Sequence, residues 1–334
     1  MVRVLTRKLV VCLAVVVTIS VFFAGFAIIN EMRRRQSLTS NSQNEENPPP
    51  QLTLTPALTT YLYEVSGYWT RNSDTDLPEY VSVIRYSVKN LGNAGAENVS
   101  IIVRIDEAVY DQHTILLLKP YDTYVDEFTF SLIYDTSKSV WVYASCSKSS
   151  DSATLWIEAS LPRSFDKNLC KIFITRHEAT VVRIKNQILS NKLPIIPDWM
   201  ALRDWVGNNI KYPLDDVDGD GEPDYDYIKH SRQEYWQLPK ETIQLRTGDC
   251  EDYAFLLCSL LRANGWSAND AYVVLGKNEN GDHHAWVKIN LGILGWYNIE
   301  PQANGWNTII GDYLSLSGYQ AICYFNDSHF HSIS

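Results

Sequence analysis

The sequence predicts a multi-domain chain: an N-terminal transmembrane helix, an all-β sandwich, then an α+β domain. Three observations predict it. Leu9 to Ile29 is an uncharged apolar run. Residues 55–162 hold short alternating runs rich in β-branched and aromatic residues, separated by turn signals. Residues 165–334 change to helical spacing and then to strands, the order of an α+β unit. The predicted boundaries are 1–35 for the anchor with its basic flanks, 36–54 for a linker, 55–162 for the sandwich and 165–334 for the last domain.

The apolar run is 21 residues long, its only polar side chains being Cys12, Thr18 and Ser20. At 1.5 Å per residue it reaches about 31 Å, close to a bilayer's hydrocarbon core. Backbone in lipid must satisfy its own hydrogen bonds, so the run is expected to be a helix. It exceeds the h-region of a cleaved signal peptide, and no clean small-x-small site precedes Arg33-Arg34-Arg35, so an uncleaved membrane anchor is the expectation. Three basic residues lie on each side of it, which leaves orientation undecided by charge.

Residues 1–36 carry six basic groups and one acid, leaving −15 on the rest of a chain whose net charge is −10. An acidic body has no electrostatic footprint for nucleic acid. With 45% hydrophobic and 20% charged residues the chain can bury a core, which excludes global disorder. Gln36 to Pro50 lacks apolar periodicity and ends in Pro48-Pro49-Pro50, the composition of a solvated linker.

In the sandwich region Tyr80–Val88 alternates well. Val99–Ile105, Thr114–Leu118, Tyr124–Leu132, Val140–Ser145 and Thr154–Ala159 are the other expected strands. The stretch Val88-Lys89-Asn90-Leu91-Gly92-Asn93-Ala94-Gly95-Ala96, followed by Leu118-Lys119-Pro120, resembles the CARDB-like sandwich modules of prokaryotic surface proteins. No catalytic constellation is visible there, so a spacer or binding module is expected.

In the last domain, helices are expected over Glu178–Leu189, over Asp198–Ile210 and from near Cys250. Strands are expected near Ala271–Leu275, His284–Ile289 and Trp296–Ile299. Ala254, Leu257, Leu260 and Leu261 have helical spacing, Gly265 is a stop, and Asp249 is an N-cap candidate. That puts Cys250 at the first helical position, where free N–H groups and the helix dipole favour a thiolate. A small buried Cys is the plain alternative. A nucleophilic thiolate needs a base, and the base needs an orienting group. His283 and His284 open an alternating strand on which only one of them can face the helix. Glu300 ends the next strand.

Together these motifs resemble the transglutaminase-like superfamily. They are Gly248-Asp249-Cys250-Glu251-Asp252, then His284-Ala285-Trp286-Val287, then Tyr297-Asn298-Ile299-Glu300-Pro301. Upstream, Tyr235-Trp236-Gln237-Leu238-Pro239-Lys240-Glu241-Thr242 is similar to the Trp-x-x-Pro-x-Glu-Thr run of prokaryotic members. The resemblance spans roughly residues 170–310 and implies a papain/transglutaminase-like fold. It implies Cys250 as nucleophile, His284 as base and acid, and Glu300 as the orienting acid in place of the usual Asp. The implied chemistry is thiol acyl transfer through a thioester, with the backbone N–H of Cys250 as one oxyanion donor and Trp236 or Gln237 as candidates for the other. Hydrolysis of a protein or peptide substrate is the leading expectation. The alternatives are a catalytically silent surface scaffold and a protein-glutamine cross-linking transferase.

Asp216, Asp218, Asp220, Glu222 and Asp224 alternate around Gly219 and Gly221, as in calcium loops, although position 12 is Tyr227. The family resemblance implies a second possible calcium site at Asp249 and Glu251. A low-affinity calcium loop suits the outside of a cell, so the expected arrangement is single-pass, at the cell membrane, with the soluble domains facing outward. Outside the anchor and Cys250, Cys146, Cys170, Cys258 and Cys323 form an even set that is equally compatible with disulfides and free thiols. Residues 311–334 read as an extra strand, a cover or, more simply, a disordered tail. Their His329 and His331 are possible metal ligands.

Overall fold

The computed structural model describes residues 54–213, 225–232, 234–302 and 318–333. The anchor run, the linker up to residue 53 and the loop Asp216–Asp224 lie outside the described residues. Among the described residues no helix is long and apolar enough to cross a membrane. Leu54–Ser334 form one compact unit.

Seven strands build a sandwich: β1 (Leu58–Arg71), β2 (Pro78–Asn90), β3 (Ala96–Ile105), β4 (Ala108–Leu118), β5 (Thr123–Ile133), β6 (Ser137–Cys146) and β7 (Ser149–Glu158). They pair antiparallel in two sheets, β1-β2-β5 and β4-β3-β6-β7. The period of two puts Ile84, Tyr86 and Val88 of β2 inward against Val99, Ile101 and Val103 of β3 and Val142 and Ala144 of β6. The sequence reading missed β1. Its alternation is interrupted at the register shift between Glu64 and Ser66, and much of its length is exposed.

Beyond a short 3₁₀ turn at Cys170–Phe173, the described residues form five α-helices: α1 (Ala179–Asn191), α2 (Asp198–Asn209), α3 (Tyr225–His230), α4 (Pro239–Leu245) and α5 (Cys250–Ala263). A five-stranded sheet follows, in the order β10-β9-β8-β11-β12. Its strands are β8 (Ala271–Lys277), β9 (His283–Asn290), β10 (Trp296–Ile299), β11 (Gln320–Phe325) and β12 (Phe330–Ser332). Glu178 caps α1 by accepting from the Val181 N–H at 2.9 Å. Helix α5 is the centre: every residue from Glu251 to Arg262 is buried, because β8 and β9 cover one side and α1, α2 and α4 the other.

The disordered-tail reading of the C-terminus is overturned. Cys323 and Phe325 are buried, β11 pairs with β8, and the turn into β12 is clamped by Asp327. The Asp327 carboxylate accepts from Arg262 Nε at 2.6 Å and pairs with Arg176 Nε at 3.1 Å. His329 and His331 pack in this hairpin, with the His331 ring stacked 4.7 Å from Tyr324. Cys146, Cys170, Cys258 and Cys323 are all free thiols.

The sandwich and the helical region meet at Arg163. This buried guanidinium donates to Asp135 in the β5–β6 turn, to Glu241 of α4 at 2.7 and 3.1 Å, and to the Trp236 carbonyl at 3.1 Å.

Candidate active site

Cys250 opens α5, as its position in the motif predicts. Gly248 has no room for a side chain, since a Cβ there would sit 2.7 Å from Cβ of Asp252. Asp252 is fully buried and accepts from the Gln237 backbone N–H at 2.8 Å and from the Gln237 side-chain amide. These contacts tie the α5 start to the segment before α4.

Asp249 occupies the N-cap position, but its side chain makes no capping hydrogen bond, which corrects that expectation. Its carboxyl instead faces those of Glu251 and Asp226, and one ligand atom from each lies within 4.8 Å of the others. Burial is the largest cause that raises all three carboxyls above the usual range, and the charges of nearby acids add to it: Glu234 at Asp226, Glu251 at Asp249, and Asp252 at Glu251. Oδ1 of Asp226 and Oδ1 of Asp249 are buried without a hydrogen-bond partner. A set of hard, partly orphaned oxygens fits a divalent cation such as calcium. Asp226 is the member that sequence reading missed. It comes from α3, and only its place just after the acidic loop hinted at it.

The surroundings of Cys250 work against the thiolate expected at the helix tip. The half-buried Cys250 Sγ donates to Glu251 Oε2 at 3.3 Å. Burial, and then the charges of Glu251 and Asp249, push the thiol well above its ordinary value, and a backbone hydrogen bond from Ala285 pulls it down. Burial, reinforced by two neighbouring carboxyls, opposes the anion that a helix start by itself favours.

The Ala285 contact sets the sulfur beside β9, one residue from His284. His283 is exposed and His284 half-buried, as strand alternation requires. Ile299 of β10 pairs with Val287, so one more step puts Glu300 opposite Trp286, on the face that carries His284. From that diagonal position Glu300 Oε2 lies 2.8 Å from His284 Nε2, and its other oxygen accepts from the Gln302 N–H at 3.2 Å. The longer acid therefore does reach the imidazole. Trp286 lies over the ring at 6.3 Å, held by its own Nε1–H to Asn298 Oδ1 at 3.0 Å, and Tyr319 meets the ring edge-on at 5.6 Å. Nε2 is thus committed to Glu300 and Nδ1 is the nitrogen left for proton transfer.

Trp236 is a core residue packed on Phe173 and Phe255, with Nε1–H donating to Glu234 Oε1. The buried Gln237 amide donates to Asp252, to Tyr225 Oη at 3.1 Å and to the Thr247 carbonyl at 3.2 Å. Both side-chain N–H groups offered as oxyanion donors have acceptors in this structure. Asp216, Asp218, Asp220, Glu222 and Asp224 lie outside the described residues.

The α+β unit thus opens its buried central helix with a cysteine and sets a His–carboxylate pair on the neighbouring strands. Residues 183–301, about a third of the chain, match the transglutaminase-like superfamily. No curated protein matches the sequence. Similar solved structures include Legionella pneumophila LapG (EGTA-treated), 14% identical, covering 52% of this chain and 88% of that one, with a TM-score of 0.33. A putative cysteine protease from Cytophaga hutchinsonii is 15% identical over 80% of this chain and 76% of its own, with a TM-score of 0.31. The CARDB domain of the Pyrococcus furiosus PF1109 protein, in complex with di-metal ions, is 18% identical over 33% of this chain and 97% of its own, with a TM-score of 0.26. At these scores no residue role follows from them.

Proposed function

We propose that this chain is a membrane-anchored, outward-facing cysteine hydrolase that cleaves amide bonds of a protein or peptide substrate. The observation that carries the reading is the His284–Glu300 pair at 2.8 Å, with the Cys250 sulfur seated on the next residue of the same strand. Glu300 fixes the ring and holds the imidazolium. Nδ1 of His284 takes the thiol proton, and the sulfur forms a bond to the substrate carbonyl carbon. As the C–N bond breaks, the leaving amine takes that proton from the ring. Water, deprotonated by the same imidazole, then opens the thioester and returns the free thiol. The backbone N–H of Cys250 supports the carbonyl oxygen. Nothing on the site marks out an amine acceptor, so water is the acyl acceptor in this reading.

Asp226, Asp249 and Glu251 are the residues that would hold a calcium ion. When bound, the ion supplies positive charge beside the sulfur, the sign that favours a thiolate. Were Glu251 committed to such an ion, the thiol would lose its present acceptor, and the His284 imidazole would be the base left to it. A second reading, a silent scaffold, draws on the Cys250–Glu251 hydrogen bond, which keeps the sulfur protonated.

One experiment separates the two: digestion of a peptide library by the full chain in calcium and in chelator. Cleavage that is lost in Cys250→Ala and in His284→Ala, with the fold intact, supports the hydrolase. No cleavage in either condition, or cleavage that survives Cys250→Ala, overturns it.

A further inference from the structure

The sandwich carries chemistry that the hydrolase reading leaves unused. At its junction with the helical region lies a cavity of about 470 Å³, lined by Asp135, Ser137, Trp156, Glu158, Arg163 and Arg232 among others. That volume falls in the range of small-molecule sites, about 300–1,000 Å³. Trp156 stands on its wall with 71% of its surface exposed, an unusual position for the largest apolar side chain.

The strand register extends the wall into a track. Trp156 of β7 pairs with Ser139 of β6, and Trp141 pairs with Thr154. Directly paired residues share a face, so Trp156, Trp141 and Tyr143 all project from the same outer face, with Trp156 diagonal to Trp141. The Trp141 and Tyr143 rings stack in parallel, 5.3 Å apart at 5°, and Arg104 covers Trp141 at 5.6 Å. Glu158 lies two residues from Trp156 on that face, opposite Ser137.

The charges of the cavity cancel. Asp135 is paired to Arg163, and Arg163 is further tied to Glu241 and the Trp236 carbonyl, so that guanidinium serves as wall. Glu158 and Arg232 remain, one of each sign. A charged ligand finds no net attraction here, and a polyanion is repelled by the acidic body. The ligand that fits a row of aromatic faces edged by an acid, an arginine and a serine has a flat C–H face and many hydroxyls, each of which donates and accepts. We propose that the outer face of β6 and β7, ending in the junction cavity, binds a neutral polysaccharide chain.

The test uses the full-length chain in phospholipid nanodiscs, free of sugar-headed detergent. It is titrated calorimetrically with soluble hexasaccharides of β-1,4-glucose, α-1,4-glucose and β-1,4-N-acetylglucosamine. Binding of at least one is expected, weakened about tenfold or more in Trp156→Ala, the loss of one stacked aromatic contact. Glu158→Gln is expected to weaken it as well. Trp296→Ala, at an exposed tryptophan on β10 of the five-stranded sheet, and Cys250→Ala are expected to bind as wild type does, which keeps this result independent of the hydrolase reading. Absence of binding to all three sugars overturns the proposal, as does binding unchanged in Trp156→Ala or a preference for an anionic polysaccharide.

Discussion

Replacement of Glu300 by Gln tests the proposed role of the acid without needing a substrate. Glu300 Oε2 and His284 Nε2 are 2.8 Å apart, with both side chains largely buried. A hydrogen bond to a charged group is worth about 1.5–3 kcal/mol, against about 1 for a neutral one. In Glu300→Gln the neutral amide no longer offsets the imidazolium charge. If the thiolate is paired with that imidazolium, the difference of about 0.5–2 kcal/mol lowers its population at fixed pH by roughly 2- to 30-fold, at 1.36 kcal/mol per decade. The assay is the second-order rate of Cys250 alkylation by iodoacetamide near neutral pH in millimolar calcium, followed by peptide mass spectrometry. Cys146, which is half-exposed and remote from the imidazole, serves as the internal standard. The rate at Cys250 is expected to fall in Glu300→Gln and at least as far in His284→Ala, with Cys146 unchanged. Equal Cys250 rates in wild type and both variants would refute the claim that the imidazole governs the sulfur.

Two further outcomes concern stability. Burial raises the Asp327 carboxyl, but the hydrogen bonds and charge of Arg262 outweigh it and hold the group below the usual range. Its stabilisation is therefore present above the unfolded value, about pH 4, and lost as pH falls through the folded one. Asp327→Asn leaves Arg262 buried without its partner and should cost about 3–5 kcal/mol in urea unfolding at neutral pH, with the gap closing in acid. Asp226, Asp249 and Glu251 have the opposite sign. Their carboxyls are raised, so the folded state binds more protons and stability in chelator falls as pH climbs from about 4 past neutrality. Thermal melts in EDTA should therefore drop between about pH 5 and about pH 8, and calcium should restore Tm most at the higher pH. A calcium effect that is flat across pH, or unchanged in Asp226→Asn, would contradict the carboxylate site.

The sequence disclosed what is local. The helix from Cys250, the strand from His284 and the acid at 300 each sit in a short motif whose period or turn residues fix its conformation. What it hid is long-range. Asp226 joins Asp249 and Glu251 only after α3 folds back onto the start of α5, and no spacing rule relates positions 23 residues apart in different elements. Strands β11 and β12 looked like tail because each is short and the pairing of β11 with β8, on which the hairpin rests, spans more than forty residues. Helix α5 showed one apolar stripe, yet it is buried all round. Its polar members Asp252, Ser259 and Arg262 are satisfied by partners elsewhere in the chain: Gln237, the Thr175 N–H and Asp327.

The same distinction explains why the surroundings of Cys250 oppose the expected thiolate. A helix start was visible in the sequence, and by itself it favours an anion. The motif that supplies it also supplies Asp249 and Glu251, and the fold adds Asp226, so the charge at that helix tip is set by acids. Three buried carboxyls at one point are unfavourable unless protons or a cation separate them. In chelator protons would do so, and they would keep the Cys250 sulfur neutral at the same time. A cation would separate the acids without protonating the sulfur. The stability and the reactivity of this site should therefore respond together to calcium, and a calcium-bound protein with an inert Cys250 would break that link.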